Sequence, residues 1–338
     1  MERIKFIMNN TLKFGVFGGG SWATAIVKML SENLDEINWY MRSETAIEHI
    51  KTQEHNPNYL SSVEFDVNQL HLSSDINEVV ANSDYLIFAI PSAFVKRELD
   101  RLTVSLDNKV IFSAIKGIVP ETSLIVGEHF NQEFNVPEEN IGVITGPCHA
   151  EEVALERLSY LTIACLDEDK AKIMAANLQS DYITCKTSDD VKGTEYAAML
   201  KNIYAIAAGI AHGLGYGDNF QSVLMSNAIR EMKKFIKKVH KMKRNINDSA
   251  YLGDLLVTGY SVFSRNRMFG NMIGKGYTVK SAQMEMSMVA EGYYATESAY
   301  KINKEKGAKT PIINAVYKIL YQGENPKAVF QKLAEKLD

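Results

Sequence analysis

Three cysteines are all that this 338-residue chain carries, and Cys148, Cys165 and Cys185 sit at intervals that match neither a zinc site nor a redox pair. So sparse and odd a set excludes a disulfide-stapled scaffold and points to a reducing compartment. Long apolar runs are missing too: no stretch approaches the roughly 18 residues that a membrane span needs. The first ten residues hold two basic side chains but only a three-residue apolar patch, too little for a secretory signal core. Organised patterning begins only after Asn10, which makes Met8 an alternative start to Met1. Neither sign of charge dominates, with 37 basic against 41 acidic residues and a net charge of −4. A chain this mildly acidic is a poor electrostatic partner for nucleic acid or an anionic membrane surface. An anionic ligand would have to be held by a local cluster of donors. Internal repeats and low-complexity tracts are also absent. The expectation is a cytoplasmic protein with no nucleic-acid partner and no stable membrane insertion.

What is present suits a globular chain. Hydrophobic residues make up 46% and charged residues 23%, an ordinary balance, and the length suits about two domains at roughly 150 residues each. In the first half, short β-rich runs alternate with helical patterns. Strands are predicted at 12–17, 37–41, 85–90, 110–113, 141–144, 160–165 and 182–185, and helices at 21–31, 92–102 and 168–178. That alternation indicates βαβ units around a parallel sheet buried on both faces. Beyond Asp190 the texture becomes helical, with helices predicted at 193–213, 220–242, 279–303, 311–321 and 326–336. The polar run Thr187-Ser188-Asp189-Asp190 suits a cap at the start of that region. The expected organisation is an α/β domain over 11–190 and an all-α domain over 191–338.

The first predicted strand runs into Gly18-Gly19-Gly20-Ser21-Trp22-Ala23, which fits the Gly-x-Gly-x-x-Ala dinucleotide fingerprint. One glycine makes the turn, the next lets backbone approach a pyrophosphate, and the small third residue lets helix and strand pack closely. The helix start adds free N–H groups and positive dipole character. A glycine-rich turn without a ligand is the competing reading, which the flanking strand and helix disfavour. The second strand ends at Arg42-Ser43 with no acid at its tip. An acid there serves the ribose hydroxyls of NAD, whereas an arginine accommodates the 2′-phosphate of NADP. Arg42 therefore leans the choice toward NADP(H) or dual use, with Glu44 close enough to leave NAD(H) open and an ordinary surface arginine as the alternative.

Four further clusters carry polar groups in small or apolar surroundings. Lys116, in Ser113-Ala114-Ile115-Lys116-Gly117, follows a predicted strand, where ligands of open α/β sheets bind. Gly146-Pro147-Cys148-His149-Ala150 also follows a strand, with residues small enough for close ligand approach. Lys201 and Asn202 lie in a helix that is apolar nearly all round. A buried ammonium is costly unless paired or functional, and burial lowers its pKa toward the range useful for proton transfer; a lysine snorkelling to the surface is the alternative. Asp254 is a candidate partner for Lys201, and Ser264-Arg265-Asn266 forms a candidate phosphate cradle, against the alternative of a solvated basic turn.

Taken in order, these pieces closely resemble the bacterial-type NAD(P)-dependent glycerol-3-phosphate dehydrogenase family. The resemblance rests on GGGSWATA at 18–25, SAIKGI at 113–118, ITGPCHAEEVA at 144–154, EYAAMLKNIYAIAAGI at 195–210, DLLVTGYSVFSRNRMFG at 254–270 and VAEG at 289–292. It implies a Rossmann-type domain followed by an all-α domain like the C-terminal part of 6-phosphogluconate dehydrogenase. It implies reversible reduction of dihydroxyacetone phosphate to sn-glycerol 3-phosphate with NADPH or NADH, no metal, a homodimer, and supply of glycerol phosphate for phospholipid synthesis. Ser21, Trp22, Arg42, Lys116, Ala150, Arg265, Val289 and Glu291 match cofactor positions, beside Gly18 and Gly20 of the loop. Lys116, Gly146, Cys148, Lys201, Asn202, Asp254, Ser264, Arg265 and Asn266 match substrate positions. Lys201 matches the proton-transferring residue, with Asp254 and Lys116 assisting it. The chain departs from the family at Cys148, where Ser or Thr is usual, and at His149, where an aromatic residue is common. Two other readings are a ketopantoate-type or β-hydroxyacid reductase, which needs a carboxylate site in place of the cradle, and a catalytically dead NAD(P) sensor, which needs no proton donor.

Overall fold

The structure is a computed structural model and describes residues 12–286 and 290–338. Ten short strands lie among the described residues up to Ser188: β1 (Phe14–Phe17), β2 (Ile37–Tyr40), β3 (Leu70–Ser73), β4 (Tyr85–Phe88), β5 (Val110–Ser113), β6 (Ile118–Val119), β7 (Leu124–Ile125), β8 (Ile141–Thr145), β9 (Ser159–Cys165) and β10 (Ile183–Ser188). Eight of them form one sheet in the order β10-β9-β8-β5-β4-β1-β2-β3, while β6 and β7 make a small separate hairpin. Every residue of β1, β4, β5 and β8 is buried, as expected for central strands covered by helices on both faces. Phe17 stacks on Phe88 at 4.5 Å and Phe88 meets Phe130 at 4.9 Å on one face; Val16, Ile26, Leu30 and Trp39 fill the other. The strand order reverses between β1 and β4, so the crevice outside their carboxyl ends is where this topology places a ligand.

The sheet corrects the all-parallel expectation. β9 runs antiparallel to β8, with Gly142 opposite Cys165 and Thr145 opposite Thr162, and β10 follows β9 in parallel. The connection from β8 to β9 contains only the five-residue helix Ala150–Ala154, too short to carry the chain back across the sheet face for a parallel return. The turn starts at Gly146, whose φ of +121° suits glycine and whose missing Cβ would lie 2.6 Å from the Tyr160 carbonyl oxygen. The pattern reading also passed over β3 and the β6–β7 hairpin, which are short and only weakly alternating.

Beyond Asp190 every element is helical among the described residues. Asp190 accepts a hydrogen bond from the Gly193 N–H and so caps the helix Val191–Gly213, whereas Thr187 and Ser188 belong to β10 rather than to the cap. Asp190 also receives two guanidinium bonds from Arg244, at 2.6 and 3.0 Å. Of this helix's 23 residues only Lys192, His212 and Gly213 escape burial, so it forms the axis around which the other helices pack. Its closest neighbour is the helix Arg265–Gly274. Gly209 and Gly213 face Arg267 and Asn271, and Gly270 and Gly274 face Ile206 and Ile210; a Cβ on any of the four would come within 2.1–2.4 Å of a backbone oxygen. Glycine is what lets these two backbones touch.

A single helix over 279–303 does not form. The chain is helical over Val279–Glu285, extended at Met286, and helical again over Glu291–Lys306. The restart leaves the first-turn N–H of Gly292 free of an intrahelical partner, and it donates to Asn266 Oδ1 at 2.9 Å. An unbroken helix would have used that N–H internally. No helix among the described residues is long and apolar enough to cross a membrane.

Candidate active site

A cleft of about 320 Å³ opens at the carboxyl ends of β1, β4, β5 and β8, with the helical half of the chain closing its far side. One wall is the glycine loop. Gly18 has φ +134°, and a Cβ on it would lie 2.6 Å from the Ala89 carbonyl oxygen, so only glycine fits. The Trp39 indole donates to the Gly18 carbonyl at 2.7 Å. Buried Asn56 donates to the Gly19 carbonyl at 3.1 Å and to Thr24 Oγ1 at 2.9 Å. Gly20 then caps the helix Ser21–Ser31 with no side-chain bond and no acid in the first turn. A Cβ at Gly20 would meet nothing within 4 Å. This helix start keeps its N–H groups and its positive end for a ligand, which suits a pyrophosphate.

The opposite wall is made of side chains. Lys201 is 4% exposed and Asp254 1%, and the ammonium donates to Asp254 Oδ1. Thr145 Oγ1 lies 3.5 Å from Asp254 Oδ2, and Thr258 donates to the Asp254 main-chain oxygen at 2.7 Å. Asp254 opens its helix directly after a π-helical turn over Ser249–Gly253. Burial pushes the Lys201 pKa down; the Asp254 carboxylate opposes this, nearby Lys116 adds to it, and the result is about 8. Such a group exchanges protons near neutral pH while staying mostly charged.

Half-buried Lys116 follows β5, and its ammonium sits 4.7 Å from the Trp22 ring centre. Asn202, one residue past Lys201, donates to the Lys116 carbonyl at 2.8 Å and links the two walls. Ser264 caps the helix Arg265–Gly274 by accepting from the Arg267 N–H at 3.3 Å. Arg265 and Asn266 therefore occupy its first turn and line the cleft. Arg265 reaches back to Ser21 Oγ at 3.5 Å, and Glu291 accepts from the Ser92 N–H at 3.1 Å. Burial raises the Glu291 pKa, with the Ser92 N–H and Arg265 opposing.

The structure thus brings Gly20, Ser21, Trp22, Lys116, Cys148, Ala150, Lys201, Asn202, Ser264, Arg265, Asn266 and Glu291 to one cleft, with Asp254 behind Lys201. Three positions stand apart. Gly146 shapes the β8–β9 turn and Gly18 the base of the loop, and neither lines the cleft. Arg42 lies beyond the tip of β2 with 65% of its side chain exposed and Glu98 3.6 Å away. Val289 lies outside the described residues. Burial pushes the Cys148 thiol up to about 12, so it is a neutral group and not a nucleophile. No cluster of metal-ligating side chains occurs among the described residues.

Several contributors went unread in the sequence. Asn56, which pins the glycine loop, carries no motif. Thr145 is hidden at the end of an apolar strand. The glycine interlock did leave a signal, since 209/213 and 270/274 share a four-residue spacing that puts both glycines on one helix face.

The sequence profile described as the NAD-dependent glycerol-3-phosphate dehydrogenase N-terminus matches residues 13–171, and the profile for the C-terminus of the same enzymes matches residues 190–331. The glycerol-3-phosphate dehydrogenase (NAD(P)+) of Macrococcus caseolyticus is 34% identical over 315 residues, covering 92% of this chain and 94% of the relative. This chain belongs to the NAD-dependent glycerol-3-phosphate dehydrogenase family. The Staphylococcus aureus relative of the same name is 33% identical over 96% of this chain and 98% of its own. The crystal structure of the Coxiella burnetii family member superposes with a TM-score of 0.88 over 96% of this chain and 99% of that one; at 24% identity it attests the fold. A Rossmann-type half followed by a helical half is therefore the architecture of this glycerol-3-phosphate dehydrogenase family member.

Proposed function

We propose that the chain catalyses reversible reduction of dihydroxyacetone phosphate to sn-glycerol 3-phosphate with NADPH or NADH. The observation that carries this reading is the buried Lys201–Asp254 pair, set between an uncapped glycine-rich helix start and the Ser264-Arg265-Asn266 helix start. Residues 11–190 would hold the cofactor and 191–338 would supply most of the groups that bind and protonate the substrate.

The glycine loop fits a dinucleotide: the Gly20–Trp22 N–H groups are unspent and no side chain blocks them. Ser21, Trp22, Ala150, Lys116 and Arg265 would complete that site, with Glu291 at its far edge. When bound, the reduced nicotinamide supplies hydride to C2 of the ketone. Lys201, as ammonium, gives a proton to the oxygen that becomes the C2 hydroxyl, and its pKa of about 8 suits transfer in either direction. Asp254 holds the Lys201 ammonium in place and stabilises its charge, and is itself held by Thr145 and Thr258. Lys116 adds positive potential to the opposite side of the reacting oxygen. Arg265, Asn266 and the helix start capped by Ser264 bind the substrate phosphate, and that remote binding energy orients the carbonyl.

Arg42 is exposed and only loosely paired, so it is available to a ribose 2′-phosphate. Ser43 is spent capping the helix Glu44–Gln53, and Glu44 accepts from Ser74 at 3.3 Å. These contacts support a lean toward NADPH with NADH still accepted. Cys148 offers the substrate a weaker donor than the usual hydroxyl. A cytoplasmic homodimer that feeds phospholipid synthesis completes the reading. The decisive experiment follows absorbance at 340 nm with dihydroxyacetone phosphate and each cofactor in turn. Oxidation of NADPH or NADH is expected; inertness with both overturns the assignment.

A further inference from the structure

Dihydroxyacetone phosphate has three polar points: a phosphate, a ketone oxygen and a free hydroxymethyl group. The groups above account for the first two. Most other polar side chains beside them are committed within the protein: Asn202 to the Lys116 carbonyl, Thr258 to the Asp254 carbonyl, and Ser264 to its helix cap. Among the described residues lining the cleft, the Trp22 indole and His149 each keep a buried ring nitrogen without a partner, and of the two it is His149 that stands beside Cys148 on the β8–β9 turn. His149 lines the cleft with Lys116, Lys201 and Arg265, and its ring meets Phe263 edge-on at 6.4 Å.

The two ring nitrogens differ. Nδ1 is sealed from water and has no hydrogen-bond partner among the described residues, while the ring as a whole is only partly buried and lines the cleft. Burial, followed by the positive Lys116 and Lys201, lowers the His149 pKa to about 4, so the ring is neutral and carries one proton. A buried N–H without an acceptor is the costlier defect, because orphaned donors are rarer than under-used acceptors. The proton therefore resides on Nε2, and the neutral ring offers the cleft an uncharged hydrogen-bond donor beside the cationic Lys116, Lys201 and Arg265.

We infer that His149, through Nε2–H, binds the free hydroxyl of the substrate and makes the site select a hydroxymethyl ketone phosphate over the corresponding methyl ketone. This inference rests on the dehydrogenase reading above. His149 is then a specificity-determining side chain, and its partners Phe263 and the β8–β9 turn set its orientation.

The test compares kcat/KM for dihydroxyacetone phosphate with that for hydroxyacetone phosphate, whose free end is a methyl group, using NADPH. The wild-type protein should favour the hydroxymethyl substrate. His149→Phe keeps a ring against Phe263 and should shrink the preference by about tenfold, the scale of one neutral hydrogen bond. His149→Gln, which restores an N–H donor on a side chain of similar reach, should recover most of it. A preference unchanged in His149→Phe, including equal losses on both substrates, overturns the inference while leaving the dehydrogenase reading intact. Failure of the wild-type protein to use either ketone overturns the dehydrogenase reading and this inference with it.

Discussion

The two walls of the cleft are built from different materials. The Rossmann wall presents main chain: a glycine turn, unspent N–H groups and a helix start with no side-chain cap. The helical wall presents side chains: a buried ion pair, a guanidinium and an amide, with Lys201 and Arg265 set by one pair of interlocked helices and Asp254 by the helix Asp254–Tyr260. Main-chain donors suit a ligand that must be held in the same way whatever its neighbours, such as a pyrophosphate. Proton transfer needs a group whose pKa can be shifted, and only a side chain offers one. The division teaches that changes at the glycine loop should act on cofactor binding through backbone shape, while changes on the second wall act on substrate binding and turnover.

The comparison is tested most severely at Lys201. Lys201→Ala should lower kcat for dihydroxyacetone phosphate by about 10²–10⁴-fold, the usual value of a positioned acid. Cofactor affinity, measured by nicotinamide fluorescence, should hold because the Rossmann wall is untouched; a parallel loss of both would erase the distinction. Arg265→Ala should come next, with kcat/KM down roughly 10- to 100-fold, mostly through KM, as a charge-assisted contact is lost. An unchanged KM would remove the phosphate role.

A smaller effect tests the support of the second wall. Gly270→Ala puts a Cβ 2.1 Å from the Ile206 carbonyl oxygen, and prising the two helices apart should cost about 1–3 kcal/mol of stability in thermal unfolding. Turnover should fall along with stability, because Arg265 and Lys201 ride on the two helices concerned. The pH profile is subtler. Lys201 must be charged to donate, so ketone reduction should be full below its pKa of about 8 and halved near that pH, falling as pH rises further. Alcohol oxidation should show the opposite slope. Least affected should be Ser21→Ala, with cofactor affinity changed less than about fivefold, because that wall uses the main chain of residue 21.

Much of this was legible before any coordinates. The helices Ser21–Ser31 and Glu168–Leu178 and the strand Val110–Ser113 fall where periodicity placed them. The side-chain wall could be read because Lys201 stands out in an apolar helix. The break before Glu291 could not, since the contact that goes with it joins Gly292 to Asn266, 26 residues apart. The antiparallel β9 was hidden for a related reason: strand composition does not record direction, and only the short connection from Gly146 decided it. Arg42, Gly146 and Gly18 carry the right residue types yet lie outside the cleft.

By itself, then, the sequence determined local geometry and chemical inventory: which segments are helix or strand, where glycine must stand, and which ionisable groups are placed among apolar neighbours. These follow from steric and hydrophobic preferences that act over a few residues. Tertiary structure alone decided which of those groups meet. It set Asp254 against Lys201 across 53 residues, sealed Nδ1 of His149 while keeping its ring at the cleft, and lowered the lysine pKa by burial. A pKa and a hydrogen-bond partner are properties of surroundings, and the surroundings of a buried residue come from distant parts of the chain.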